Sequence, residues 1–271
     1  MYILNPSDIE KIAKSRGLTR FELEVPSMII LTFCNAVLDE LFNLCNDLEE
    51  WKWEGEMFTP YSSSKKSLKG SLDDLHDIAV FMPPMGASPL VAFCEELVYF
   101  GAKFLILICA SWGLGEEYLS KGQIQLPSFS IGVDGTSIHY GNQKYDVKCE
   151  SKSFNALTVA LNKLGVNWKE GGVGTCEAIY RITPKMLNDF RKLGCLSMDN
   201  GEVASLFSLA HIKKTSIGVL LQPYIDLKSG WNFSYLDEEY SEICRVQART
   251  AIEAFNILKN EKRGKDEELD E

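Results

Sequence analysis

The 271-residue sequence lacks several features that mark particular classes of protein. Its eight cysteines form no C-x-x-C pair, the usual signature of a zinc or redox motif. No apolar run reaches the ~20 residues that a membrane-spanning helix needs. Lysine and arginine number 28 against 38 acidic residues, which argues against a general nucleic-acid or anionic-membrane surface. We therefore expect a soluble cytoplasmic protein with reduced core cysteines, disulfides or zinc being the alternatives.

The chain also lacks internal repeats and any proline-, glycine- or serine-rich linker, so we predict a single domain over residues 1–271. The nearest approach to a linker, residues 61–70, is predicted to be an exposed loop. Trp51 and Trp53 are expected to pack in sheet strands. Residues 263–271 are predicted to form a solvated acidic tail. With 45% apolar residues, the chain can bury one large α/β core.

The clearest secondary-structure pattern runs from residue 78 to residue 110. It predicts a strand over 78–81, a Pro/Gly turn, an amphipathic helix over 90–100 and a second strand over 104–110. The second strand is continuously apolar, as is typical of a strand covered on both faces. Such a unit predicts a parallel crossover connection. The ligand-binding edge of the sheet would then lie beyond the carboxyl ends of its strands.

Met85-Gly86, followed by Glu95-Glu96-Leu97 and Gly101-Ala102-Lys103, resembles the nucleoside phosphorylase superfamily of purine nucleoside and uridine phosphorylases. Further segments resemble the same family in the same order: residues 131–140, 175–181, 194–207 and 216–227. The resemblance covers about residues 28–260. It implies an α/β fold with a mixed, partly barrel-like central sheet flanked by helices. It also implies no metal or cofactor, and assembly as a homodimer or hexamer.

The resemblance further implies a nucleoside site. Within residues 194–207, Glu202 occupies the place of a glutamate that accepts hydrogen bonds from ribose hydroxyls. Trp112 either stacks on the base or fills the pocket. The other residues implied to line the base pocket are Ser111, Gly113, Ile179 and Tyr180, and Met85 with Gly86 forms a turn on the sugar side.

The residues expected to perform catalysis differ from those of the family. Ile225 holds the place of the acidic residue that protonates a purine base, and Asp226 lies one position later. Because side chains alternate along a strand, a bulge would be needed to bring Asp226 into the site as the catalytic acid. The positions implied to bind phosphate are Phe33, Val37, Leu107 and Ala110. These side chains carry no charge, which argues against phosphate as a co-substrate.

Three functions stay open from the sequence. The first is an enzyme that cleaves the N-glycosidic bond of a purine or pyrimidine nucleoside, by phosphorolysis or by water attack. The second is a catalytically inactive nucleoside-binding protein. The third is a structural subunit of a hetero-oligomer with an active relative. The base preference is not predicted, because it depends on loops in which the chain differs from the family.

Overall fold

A computed structural model describes residues 3–59, 61, 63–230 and 234–267, with side chains described up to residue 259. The helices are α1 (Pro6–Ser15), α2 (Arg20–Leu23), α3 (Asn35–Leu44), α4 (Ala87–Tyr99), α5 (Ser151–Lys163), α6 (Pro184–Lys192), α7 (Glu202–Lys213) and α8 (Glu238–Glu267). The strands are β1 (Met28–Thr32), β2 (Asn46–Glu50), β3 (Lys66–Asp73), β4 (His76–Met82), β5 (Phe104–Gly113), β6 (Ile124–Val133), β7 (Asp146–Lys148), β8 (Trp168–Cys176), β9 (Cys195–Asp199) and β10 (Ser216–Asp226). The predicted acidic tail, residues 263–271, lies wholly outside the described side chains.

The strands form one mixed sheet in the order β10-β6-β8-β9-β5-β1-β4-β3-β2, with β7 paired to β6. A further pairing between β10 and β5 closes five of these strands into a ring. Strands β1, β4, β3 and β2 extend from β5 as an open wing. The fold is therefore α/β with a partly barrel-like mixed sheet, which confirms the predicted fold class.

The predicted strand–helix–strand unit is present as β4, α4 and β5. Both strands run parallel to β1, which lies between them. Alternate residues of these strands face opposite sides of the sheet. Ile29 and Leu105 contact the apolar cluster beneath α1, α4 and α7, whereas Ile30 and Ile106 face the cluster beneath α3, α5 and α8. Burial on both faces explains why the strands are apolar at successive positions.

The sheet forks along β5, and this fork shapes a cavity. β1 pairs with residues 104–108 of β5, whereas β9 pairs with residues 112–113 on the same side. Between these two pairings, residues 109–111 have no strand partner on that side within the described chain. Their other side pairs with β10. A gap therefore opens in the sheet between the ring and the wing.

Two local predictions were wrong. Residues 66–73 form strand β3, although 61–70 were predicted to be a loop. This strand is mostly half-exposed, so its polar composition resembles that of a loop. Trp51 and Trp53 follow β2 in an irregular segment and do not belong to a strand. Within the described chain, no helix has the combination of length and apolar character that crossing a membrane requires.

Trp53 connects the N-terminal helices to the core, and we expect its replacement by phenylalanine to destabilise the protein by about 2–3 kcal/mol. Its ring is fully buried against Phe81, Phe93 and Phe100, and its indole N–H donates to the Leu23 carbonyl at 2.9 Å. Trp53→Phe would leave that carbonyl without its donor and a void beside it. Urea denaturation followed by circular dichroism measures the loss.

Trp168→Phe provides the matched control for this prediction. Trp168, like Trp53, donates its indole N–H in a hydrogen bond. Its acceptor is Asn162 Oδ1 at 3.0 Å, and this hydrogen bond lies at the surface. We expect this control to lose less than about 1 kcal/mol, because water can replace the hydrogen bond. Equal losses in the two variants would contradict a special role for Trp53.

Candidate nucleoside-binding site

A cavity of about 220 Å³ occupies the fork in the sheet. Five parts of the chain line it: the β1–α3 junction, the β4–α4 turn, the end of β5, the β9–α7 turn, and the segment from β10 into α8. The lining residues are Phe33, Cys34, Met85, Ile108, Cys109, Ala110, Trp112, Asp199, Asn200, Glu202, Tyr224, Tyr235, Tyr240, Cys244 and Gln247. The cavity is thus at the carboxyl ends of parallel strands, where α/β sheets bind ligands.

Glu202, the first residue of α7, places a carboxylate in this cavity. Its side chain is only 5% exposed. One carboxylate oxygen accepts the Gly86 N–H at 3.0 Å, and the other accepts the Asn200 N–H at 3.1 Å. Burial raises the pKa of Glu202, although these backbone donors oppose the change. The N–H of Glu202 itself and the side chain of Asn200 also stabilise the carboxylate, which lines the cavity.

The turns on either side of Glu202 depend on glycine. Gly86 has φ +103° and Gly201 has φ +91°, and both values strongly favour glycine. A Cβ at Gly201 would also lie 3.0 Å from the Ala87 Cβ. The Asn200-Gly201 pair therefore lets the chain turn tightly into α7 and carry the Glu202 carboxylate to the start of α4.

Asp199, at the end of β9, is a second buried carboxyl group in the cavity, and the sequence analysis did not select it. It accepts the Val203 N–H at 2.8 Å and the Gly201 N–H at 3.1 Å. Burial, followed by the charge of Glu202, raises the pKa of Asp199 to about 8. Asp199 is therefore largely protonated at neutral pH. The signal that could have found it is its position three residues before Glu202, immediately ahead of a helix.

Trp112 and Tyr224 form one wall of the cavity. The indole N–H of Trp112 donates to the Tyr224 hydroxyl at 2.9 Å. The pairing of β10 with β5 shifts register between Pro223 and Ile225, so Tyr224 is the extra residue of a β-bulge. The sequence had raised a bulge here as a way to bring in Asp226. The residue that the bulge turns to the cavity is Tyr224.

Residues 32–222 of the chain match the family model of the phosphorylase superfamily. The chain belongs to this superfamily. The purine nucleoside phosphorylase from Toxoplasma gondii, solved in complex with immucillin-H, superposes with a TM-score of 0.73 at 17% identity, covering 90% of this chain and 95% of that chain. The uridine phosphorylase from Vibrio fischeri ES114, solved with 6-hydroxy-1-naphthoic acid, gives a TM-score of 0.70 at 18% identity, covering 86% and 93%. Comparison with curated proteins found no match.

Three of the predicted site residues, Asp226, Ile179 and Tyr180, lie outside the described lining of the cavity. Asp226 is absent from the described lining, and its side chain instead accepts the Lys228 N–H and the Ser229 hydroxyl in the turn after β10. Ile179 and Tyr180 lie in a 3₁₀-helix after β8 ends at Cys176. Tyr180 is 81% exposed. Neither residue belongs to the described lining.

Of the other predicted site residues, some line the cavity and some lie outside its described lining. Met85 lines the cavity and Gly86 donates its N–H to Glu202. Ser111 is buried, and its hydroxyl donates to the Gln222 carbonyl at 3.4 Å. Gly113 lies close to the Ile225 carbonyl. Ser111 and Gly113 are outside the described lining, whereas Trp112 between them belongs to it.

The four predicted phosphate positions also separate. Phe33 and Ala110 line the cavity, whereas Val37 and Leu107 are fully buried in the two core clusters. Leu107 pairs with Leu31 of β1, before the gap in the sheet that begins at residue 109. The described lining contains no lysine, arginine or histidine. Its acidic residues are Asp199 and Glu202. A phosphate dianion would therefore lose hydration here without a cation to offset the cost.

Proposed function

We propose that this protein binds an uncharged nucleoside in the cavity, with Glu202 holding the sugar, and cleaves the N-glycosidic bond by water attack. The observation that carries the proposal is the buried Glu202 carboxylate, which lines the cavity and is held in place by backbone donors. Adjacent ribose hydroxyls are donors that suit such an acceptor. Membership of the phosphorylase superfamily supports a nucleoside as the ligand class.

The composition of the cavity favours water over phosphate as the attacking group. Phosphorolysis needs a bound anion close to the sugar, and the described lining supplies two carboxyl groups and no cation. Water carries no charge and therefore needs no cation in order to bind. Apolar lining residues, among them Phe33, Ile108 and Trp112, suit the faces of a base.

Hydrolysis also requires a proton for the departing base. In the reaction, a water oxygen bonds to C1′ of the sugar as the C1′–N bond breaks, and the base leaves with a proton. The attacking water loses one of its own protons, which restores the proton donor. We infer that Asp199 supplies this proton, because its raised pKa of about 8 keeps it protonated at neutral pH and it lies in the same cavity as Glu202. It takes the place that the sequence had assigned to Asp226.

The test is incubation of the purified chain with adenosine, inosine and uridine, each with and without inorganic phosphate. Free base is measured by chromatography and binding by calorimetry. We expect base to be released at the same rate in both conditions. Release that requires phosphate would contradict the hydrolytic route. Binding without release would favour an inactive nucleoside-binding protein, and absence of both would overturn the proposed function.

Two finer expectations accompany this proposal. We propose a homodimer or hexamer, or a hetero-oligomer with an active relative, as the resemblance implies. Light scattering after size-exclusion chromatography distinguishes these states from a monomer. A cytoplasmic location follows from the sequence as a prediction, and cell fractionation tests it.

A further inference from the structure

Two thiols from distant parts of the chain meet at one end of the cavity. Cys34 lies between β1 and α3, and Cys244 lies on α8, 210 positions later in the sequence. Their sulfur atoms are 3.3 Å apart, and both residues line the cavity. Cys244 is buried, whereas Cys34 is half-buried and more accessible from the cavity. The cavity therefore contains a dithiol that the proposed nucleoside chemistry does not use.

The two thiols are not equivalent, because Cys244 donates its S–H to Cys34. This hydrogen bond lowers the pKa of Cys34 to about 6, against the opposing effect of burial, and the N–H groups of Ala36 and Val37 at the start of α3 assist. The pKa of Cys244 is raised by the same hydrogen bond and by burial. Cys34 is thus the thiolate and nucleophile of the pair, and Cys244 is its proton-bearing neighbour.

A buried donor near this pair has no partner of its own. Gln247 is fully buried and lines the same cavity. Its Oε1 accepts the Gln222 amide at 3.1 Å, and the same Gln222 amide lies 3.1 Å from the Cys244 sulfur. The Gln247 Nε2 finds no hydrogen-bond acceptor in the described part of the chain. A buried donor without an acceptor, on a residue that lines a cavity, favours a ligand with an acceptor oxygen.

We propose that Cys34 and Cys244 form a hydroperoxide-reactive site, with Cys34 as the attacking thiolate and Cys244 as the resolving thiol. The ligand class is a small hydroperoxide, whose oxygen can accept a hydrogen bond from Gln247. This activity is independent of nucleoside binding and goes beyond the proposed function. Closing the 3.3 Å separation to the ~2.05 Å of a disulfide requires the sulfurs to approach by only about 1.2 Å.

The chemistry balances with the hydroperoxide as the oxidant. The Cys34 sulfur attacks one peroxide oxygen, the O–O bond breaks, and the other oxygen takes a proton and leaves as alcohol or water. Cys34 then carries a sulfenic acid. The Cys244 sulfur attacks the Cys34 sulfur, and the hydroxyl leaves as water with the Cys244 proton. Two thiols are oxidised to one disulfide, and the hydroperoxide is reduced by two electrons.

The experiment treats the intact chain with hydrogen peroxide at neutral pH, blocks the remaining thiols and measures masses. We expect two of the eight free thiols to be lost and then restored by dithiothreitol. Trypsin should yield one linked pair, joining residues 21–52 to residues 229–245. Fragmentation must assign the bond to Cys34, because Cys45 lies in the same peptide. Survival of all eight thiols, or a bond from Cys45, would overturn the proposal.

Three variants separate the roles of the cavity thiols. Cys244→Ser should stop the reaction at the sulfenic acid, which dimedone traps as a single adduct on Cys34. Cys34→Ser should abolish both the adduct and the disulfide. Cys109→Ser is the matched control, since Cys109 lines the same cavity but burial raises its pKa well above the ordinary value. A disulfide lost in Cys109→Ser, or retained in Cys34→Ser, would refute the assignment. The thiol count of the wild-type chain tests the proposal even if a variant misfolds.

Discussion

Replacing Glu202 with glutamine should weaken nucleoside binding by roughly 10- to 150-fold, or about 1.5–3 kcal/mol. Glutamine keeps the size of the side chain but presents one neutral acceptor where the carboxylate has two charged oxygens. Those oxygens accept the Gly86 and Asn200 N–H groups, and the residue lines the cavity. Calorimetric titration with the tightest-binding of adenosine, inosine and uridine measures the change.

Glu177→Gln is the matched control for this prediction. Glu177 also accepts a backbone N–H, from Gly135 at 3.0 Å, but it is exposed and outside the described cavity lining. The control should leave the affinity unchanged within twofold. Thermal melts of both variants separate a loss of binding from a loss of folding. If a folded Glu202→Gln variant binds as tightly as the wild type, Glu202 does not hold the sugar.

The second large effect concerns stability at alkaline pH, where Asp199→Asn should stabilise the protein relative to the wild type. The pKa of Asp199 is raised to about 8 when folded, against 3.8 for the free side chain. Between these values the unfolded chain has lost the proton that the folded chain keeps. The wild type therefore loses stability as pH rises from about 4 to 8.

Asparagine resembles the neutral carboxyl and removes this dependence. Since one pKa unit corresponds to about 1.4 kcal/mol, we expect the variant to gain roughly 3 kcal/mol on the wild type between pH 5 and pH 8. Cys34 has the opposite effect: its pKa is lowered to about 6, so it adds to the stability of the protein as pH rises above that value. Because both proteins contain Cys34, this contribution cancels when they are compared. Urea titrations at both pH values provide the measurement.

Asp189→Asn should show no such gain with pH. Its carboxylate lies on the surface of α6, where a hydrogen bond from Lys185 lowers its pKa. Removing an exposed ion pair changes stability little, because water and salt screen the charges. A difference between Asp199→Asn and the wild type that stays constant from pH 5 to pH 8 would show that Asp199 does not retain its proton on folding.

The sequence predicted the parts of the fold in which local pattern and burial agree. The continuous apolar run of β5 and the amphipathic α4 after a Pro/Gly turn gave the correct crossover unit, because both strands are covered on two faces. Strand β3 was missed because its serines, lysines and glycine are as compatible with a loop as with a half-exposed strand. Trp53 was misplaced because its partner, the Leu23 carbonyl, is 30 residues away.

The site was less predictable, because its geometry depends on pairings between distant segments. Alignment alone could not show that Tyr224 is the bulged residue of β10, since this follows from its register with β5. The meeting of Cys34 with Cys244 depends on where α8 packs against α3. By contrast, Glu202 could be selected from the sequence because its resemblance to the family rests on one continuous segment, residues 194–207.

The fork in the sheet has a consequence for how this protein can change. Residues 109–111 of β5 border the cavity on a side where the described chain offers them no strand. Peptide groups on an open edge of this kind can recognise a ligand through atoms that every amino acid carries. Point mutation can exchange the side chains around such a cleft, and so alter its chemistry, while the main-chain contacts survive and keep the cleft competent to bind.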